Sequence, residues 1–254
     1  YINDAFSCSH RKQASIHNIT KFIKKSFAGP LLKKEINAID LVIQNKKEPV
    51  TCIIGGSKIS TKINVISSLI EKVNSLVIVG AMANNFFTYK NLKIGKSLVE
   101  ENTNEIIRTI YEKANKNKCK IIIPEDCMVG SSFTSDGINK DINTIEDNDI
   151  ILDIGTKTIE ILKKIIDQSK TVLWNGPAGY FENENFLIGT MSVAESISKN
   201  TVENSLISIL GGGDTLAAIK QSKNKLFFTH LSTAGGAFLE YLEGKDLPGL
   251  SVLK

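Results

Sequence analysis

The chain has 254 residues, with 31 Lys and Arg against 27 Asp and Glu, a net charge of +4 and 42% hydrophobic residues. That length suits one large α/β domain or a domain with part of another. The cations are scattered along helix faces, which speaks against nucleic acid as a partner, and no apolar run is long enough to span a bilayer, so no membrane role is expected. Cys8, Cys52, Cys119 and Cys127 have no CxxC spacing, so neither a metal site nor a disulfide framework is expected, and a reduced, cytoplasmic setting is. The first residue is Tyr1 and no signal peptide is visible, which leaves room for a start further upstream.

Tyr1–Phe6 reads as the end of a strand and a turn, with Asn3 and Asp4 as local hydrogen-bonders. In the basic segment that follows, Arg11 is either a bidentate grip on an anionic substrate or a solvated surface residue. Leu31–Gln44, just after Pro30, has the spacing of an amphipathic helix. It is expected to connect two domains as a hinge outside either core.

From residue 48 one unit recurs: strand, glycine, helix. Val50–Ile54 runs into Gly55-Gly56-Ser57-Lys58, Leu76–Val79 into Gly80, and Thr171–Trp174 into Asn175-Gly176-Pro177. Leu206–Leu210 runs into Gly211-Gly212-Gly213, and Phe227–Leu231 into Ser232–Gly236. The fold class expected is α/β, a three-layer doubly wound (Rossmann-like) parallel sheet with helices on both faces. The loops at one edge of such a sheet converge on a single crevice.

Each loop carries its own chemistry. Lys58 and Lys62 are spaced i, i+4, so on a helix both ammoniums face one way, as a polyphosphate requires; an ordinary solvated pair is the other reading. Glu101–Asn117 is an amphipathic helix feeding a strand at Lys120–Ile123. Cys127–Asn148 is a polar surface excursion or small hairpin, after which Ile150–Ile154 resumes the sheet and Thr156–Ser169 is its helix. The loop after Trp174 offers a flat apolar wall for a purine, and Glu182 either accepts from ribose hydroxyls or caps the helix near Glu184. At Gly211–Gly213 the backbone can come close to a phosphate. Asp214 and Thr215 add an oxygen ligand for Mg²⁺ and a hydroxyl donor, unless Asp214 is only a helix N-cap. No Gly-x-Gly-x-x-Gly occurs, which speaks against a nicotinamide-dependent dehydrogenase.

Taken together, Asn3-Asp4-Ala5-Phe6 with His10-Arg11, Gly55–Lys58 with Lys62, Trp174–Pro177, Gly211–Thr215, and Ser232–Ala237 with Leu242–Lys245 stand in order and in register. In these motifs the whole chain resembles the phosphoglycerate kinases of bacterial type. It departs from them at Ser7, Ala81 and Ala234, where glycine is usual. The resemblance implies reversible phosphoryl transfer between Mg-ATP and the carboxylate of 3-phosphoglycerate, giving 1,3-bisphosphoglycerate and ADP. It implies a cytoplasmic enzyme, monomeric when intact.

By the same resemblance, residues 1–29 are the tail of the N-terminal substrate domain, 30–47 an interdomain helix, and 48–254 the nucleotide-binding domain. The family's earlier arginine segments have no counterpart here, so the chain alone is expected to bind ATP or ADP and to be nearly inactive. A non-catalytic nucleotide-binding module is the alternative. The resemblance puts Lys58 on the transferring group with the backbone of Gly213 and Gly235, and Lys62 on the nucleotide phosphates with Asn175 nearby. Gly211, Gly212, Gly213 and Thr215 join the phosphates, Asp214 holds Mg²⁺, and Glu182 meets the ribose. Gly56, Gly80, Leu152, Pro177 and Gly179 line the adenine pocket, and Arg11 contacts substrate phosphate.

Overall fold

The computed structural model describes Tyr1–Leu253. Two short strands open it, β1 (Ile2–Asn3) and β2 (Phe27–Ala28), paired in parallel, with 3-10 turns at Phe6–Cys8 and Asn18–Lys21 between them. Pro30 begins α1 (Pro30–Ile43), a position where its missing N–H matters least. Asp4 is not a local turn-former, since its carboxylate accepts from the Leu32 amide at 2.8 Å and so satisfies an orphan donor of α1 from 28 residues away.

The main sheet is built from β3 (Val50–Ile54), β4 (Ser75–Ile78), β5 (Lys120–Ile122), β9 (Thr171–Asn175), β10 (Ile207–Gly211) and β11 (His230–Ser232). All their pairings are parallel, in the order β11-β10-β9-β3-β4-β5. Both faces are covered, which is why the central strands β3 and β9 are mostly apolar and buried at every position. Val50, Cys52 and Ile54 point into one core with Leu76, Ile78, Leu173 and Ile209; Ile53 points the other way with Val77, Val172, Trp174 and Leu210. The first face is covered by α1, α2 (Ile63–Ile70), α3 (Met82–Tyr89), α4 (Asn104–Lys116) and α8 (Gly236–Leu242). The second is covered by α5 (Thr156–Gln168), α6 (Ile188–Glu203) and α7 (Gly213–Ile219). The expected three layers are present.

Four expectations need correction. Ile150–Ile154 is a strand, β8, but it lies outside the main sheet. It pairs antiparallel with β6 (Asp126–Gly130), which also pairs with β7 (Ile138–Asp141), in a separate three-stranded sheet. The buried carboxylate of Asp126 accepts from the Lys157 and Thr158 amides at 2.9 and 2.8 Å, anchoring the start of α5 to this small sheet. Phe227–Thr229 is not strand. Thr229 and Ser208 bond backbone to side chain in both directions, at 3.0 and 3.1 Å, where a ladder would otherwise form.

α1 is not a free-standing hinge, because Leu32, Ile39 and Val42 are fully buried in the first core. Nor do the chain's two ends lack partners. The short helix α9 (Pro248–Ser251) docks on the first segment, with Gly249 N donating to Ser9 O at 2.8 Å and Asn3 Nδ2 donating to Gly249 O at 3.1 Å. Phe6 packs edge-on against Tyr241 of α8, centroids 6.0 Å apart.

Candidate functional site

Chain order reverses between β3 and β9: successive strands β3, β4, β5 run one way across the sheet and β9, β10, β11 the other. The loops leaving the carboxyl ends of such a pair diverge and leave a crevice. Here they first touch. Gly55 N donates to Asn175 O at 2.9 Å, and a Cβ on Gly55 would overlap the Pro177 carbonyl, so only glycine permits this approach.

Beyond that contact lies a cavity of about 330 Å³. Gly56, Gly80, Leu152, Pro177 and Gly179 all line it, and Glu182 and Asp214 contribute carboxylates. Phe133 and Tyr180 meet edge-to-face in its wall, centroids 5.0 Å apart. Apolar and aromatic walls with a few polar groups suit a planar ring bearing polar substituents. Glu182 is free of the capping role, because Asn183 caps the 3-10 turn at Glu184–Phe186 by accepting from Asn185 N. Asp214 is not the N-cap of α7 either. Gly212 is, with φ +99°, and Asp214 stands exposed in the first turn.

Toward α7 the cavity gives way to a polar corner. Lys62 does not share a helix face with Lys58, since α2 begins only at Ile63 and residues 58–62 form a turn. The Lys62 ammonium turns back to donate to Gly55 O at 2.6 Å and Asn175 Oδ1 at 2.8 Å. Burial pulls its pKa down to about 8, against the pull of Asp214 in the opposite direction. Lys58 is exposed and outside the cavity lining; its charge helps to hold the Glu100 carboxyl below its ordinary value, after the stronger effect of bonds from Ser60. Thr215 is fully buried and does not offer its hydroxyl to the surface. Its Oγ1 accepts from Gly176 N at 2.7 Å and so braces the two glycine loops against each other. Gly211 is buried beneath the Phe238 ring, while Gly213 and Gly235 face open space.

Arg11 lies apart from the cavity. It is exposed, and its Nε donates to His10 Nε2 at 3.4 Å; the His10 ring in turn abuts Gly236, next to Gly235. Two groups in this region and at the cavity were not anticipated. His230 Nε2 lies 2.9 Å from Glu35 Oε2, tying α1 to the start of β11. Burial alone would raise the Glu35 carboxyl, but hydrogen bonds from His230 and Ser232 outweigh it and hold the group below its ordinary value. Nothing local in the sequence connects residues 195 positions apart. Asp153 also lines the cavity, 3% exposed, and burial pushes its carboxyl up to about 8 against two backbone amides that pull it down. A carboxylate inside the apolar run Ile150–Ile154 was the available signal.

The site combines a three-layer parallel α/β fold, a cavity at the switch point of its sheet and a half-buried lysine among glycine loops, an arrangement suited to an anionic ligand. The comparisons narrow it. The sequence matches the family model described as phosphoglycerate kinase over residues 1–245. It is 46% identical to the phosphoglycerate kinase of Wolbachia sp. subsp. Drosophila simulans (strain wRi), covering 100% of this chain and 64% of that protein. The phosphoglycerate kinase structure from Coxiella burnetii superposes with a TM-score of 0.92 at 37% identity, over 99% of this chain and 64% of that one. That from Pyrococcus horikoshii gives 0.82 at 28% identity, over 99% and 63%. The chain therefore belongs to the phosphoglycerate kinase family and spans about 64% of the length of the relatives it matches.

Proposed function

We propose that this chain carries the nucleotide side of reversible phosphoryl transfer between Mg-ATP and 3-phosphoglycerate. The observation that carries this is the cavity at the β3/β9 switch point, with largely apolar walls and the Asp214 carboxylate in its lining, and with the Lys62 ammonium, bonded to Asn175, next to its Gly56 wall. An adenine lies between Gly56, Gly80 and Leu152 on one side and Pro177 and Gly179 on the other, with Glu182 on the ribose. Lys62 and the backbone of Gly211–Gly213 take the phosphates. Lys58, exposed outside the cavity, reaches the transferring group together with the Gly213 and Gly235 amides.

No general base is required, because the acceptor carboxylate is already ionised at neutral pH. The reaction then rests on positioning and charge neutralisation, which this set of residues supplies. Asp214 fits a Mg²⁺ site in that it is an exposed hard-oxygen donor in the lining of the cavity. Mg²⁺ is commonly bound by one or two carboxylates plus substrate phosphates and water. When bound it would neutralise phosphate charge. Arg11, beside the Gly235 loop, contacts the phosphate of 3-phosphoglycerate. The intact enzyme works as a cytoplasmic monomer, as the family resemblance implies. Separately, among the described residues no helix is long and apolar enough to cross a membrane.

Calorimetry tests the nucleotide half directly. ADP binding is expected to strengthen with Mg²⁺, and Asp214→Ala is expected to abolish that strengthening while leaving some Mg²⁺-free binding. A chain that binds no ADP, or an Asp214→Ala variant with the parent's Mg²⁺ response, would contradict the assignment.

A further inference from the structure

β8 buries one ionisable side chain, Asp153, and does so at the wall of the cavity. Its Oδ2 accepts from Gly189 N at 2.7 Å and its Oδ1 from Ile154 N at 2.8 Å. Gly189 is the second residue of α6, and its amide is one of the first four that have no partner within a helix. The fit around the carboxyl is close: a Cβ on Gly179 or on Gly189 would run into it. The segment between those glycines carries Tyr180, Phe181 and Glu182, which line the cavity. Two further bonds hold its beginning, Tyr180 N to Leu152 O at 2.6 Å and Ala178 N to Thr190 Oγ1 at 2.9 Å.

We propose that Asp153 is a positioning residue of the nucleotide cavity, clamping the Gly179–Gly189 segment to β8 and so setting the gap that a planar base enters. An apolar residue here would fill the space but leave the Gly189 amide orphaned in a buried place, and the segment's far end would lose its tie to β8. Asp153 acts through backbone, on the base side alone. The phosphate corner, built on Lys62, Asn175 and Thr215, shares none of the bonds it makes. This inference rests on the cavity's being a nucleotide site.

The test compares ADP with pyrophosphate, which lacks the base, on the full chain and on Asp153→Asn. The amide side chain turns one of the two acceptors into a donor facing a backbone N–H. ADP affinity is expected to fall about tenfold, the scale of one lost buried hydrogen bond, with pyrophosphate affinity unchanged within about twofold. Unchanged ADP affinity in a folded variant overturns the proposal, and so does an equal loss for both ligands, which marks a merely structural role. A second measurement uses the unsubstituted chain and needs no variant to fold. ADP should slow amide exchange at Tyr180 and Gly189 while pyrophosphate does not; equal effects of the two ligands, or none, overturn it. Failure of the unsubstituted chain to bind ADP would instead sink the nucleotide reading, and the role of Asp153 with it.

Discussion

The cavity between β3 and β9 and the surface around His10 and Arg11 are built to different degrees of completion. The cavity is walled by loops from several strands, locked by Asp153, Thr215 and the Gly55–Asn175 contact. The other surface offers one exposed guanidinium, a His10 Nδ1 buried without a hydrogen-bond partner among the described residues, and exposed Ile2, Phe22 and Phe27 nearby in sequence. On the proposed function, the contrast places the groups for the nucleotide and the groups for the acceptor in separate parts of the fold. The chain spans about 64% of the length of its relatives, and the walled cavity lies within the described residues.

The comparison breaks most visibly in turnover. The isolated 254-residue polypeptide is expected to transfer phosphoryl groups many orders of magnitude more slowly than an intact relative. Holding two reactants together contributes roughly 7–11 kcal/mol to such reactions, and on the proposed function this chain carries only the nucleotide side. A coupled assay on a preparation free of contaminating kinase checks this; turnover within tenfold of the intact enzyme would contradict it.

A smaller effect separates the two regions within one binding experiment. Lys62→Ala should weaken ADP binding by about 1.5–3 kcal/mol, the range for a hydrogen bond to a charged group. Arg11→Ala should leave ADP binding unchanged. Equal losses in calorimetry would mean that the two regions share a ligand.

The smallest effect is in pH. Burial holds Lys62 near 8 in the free chain, and a phosphate favours its charged form. Below about pH 8 the lysine is already protonated, and binding needs no added proton. Above it, binding must take up a proton, so ADP affinity should fall by up to tenfold per pH unit. Lys62→Ala should remove the slope, which titrations at pH 7 to 9.5 would show.

Much of this was legible in the sequence for a physical reason. Strands buried on both faces are continuous apolar runs, so β3 and β9 stand where Val50–Ile54 and Thr171–Trp174 predict them, the latter extended by Asn175. An apolar run does not say which sheet it joins, and so β8 was assigned to the wrong one. The glycines named the crevice because close backbone approach leaves few alternatives. Side-chain direction was less legible. The spacing of Lys58 and Lys62 assumed a helix through both, whereas α2 starts only at Ile63 and the Lys62 ammonium bonds back to Gly55 and Asn175. Thr215 was placed on a ligand when it braces a loop, and the Glu35–His230 pair depends on a contact made only by the folded chain.

Hydrogen exchange with and without ADP tests the separation of the two regions most directly, since protection reports local opening residue by residue. ADP should slow exchange across Gly55–Lys62 and Gly211–Thr215 and leave Tyr1–Gly29 unchanged. Protection of Tyr1–Gly29 to the same extent, or none in the two glycine loops, would contradict the account.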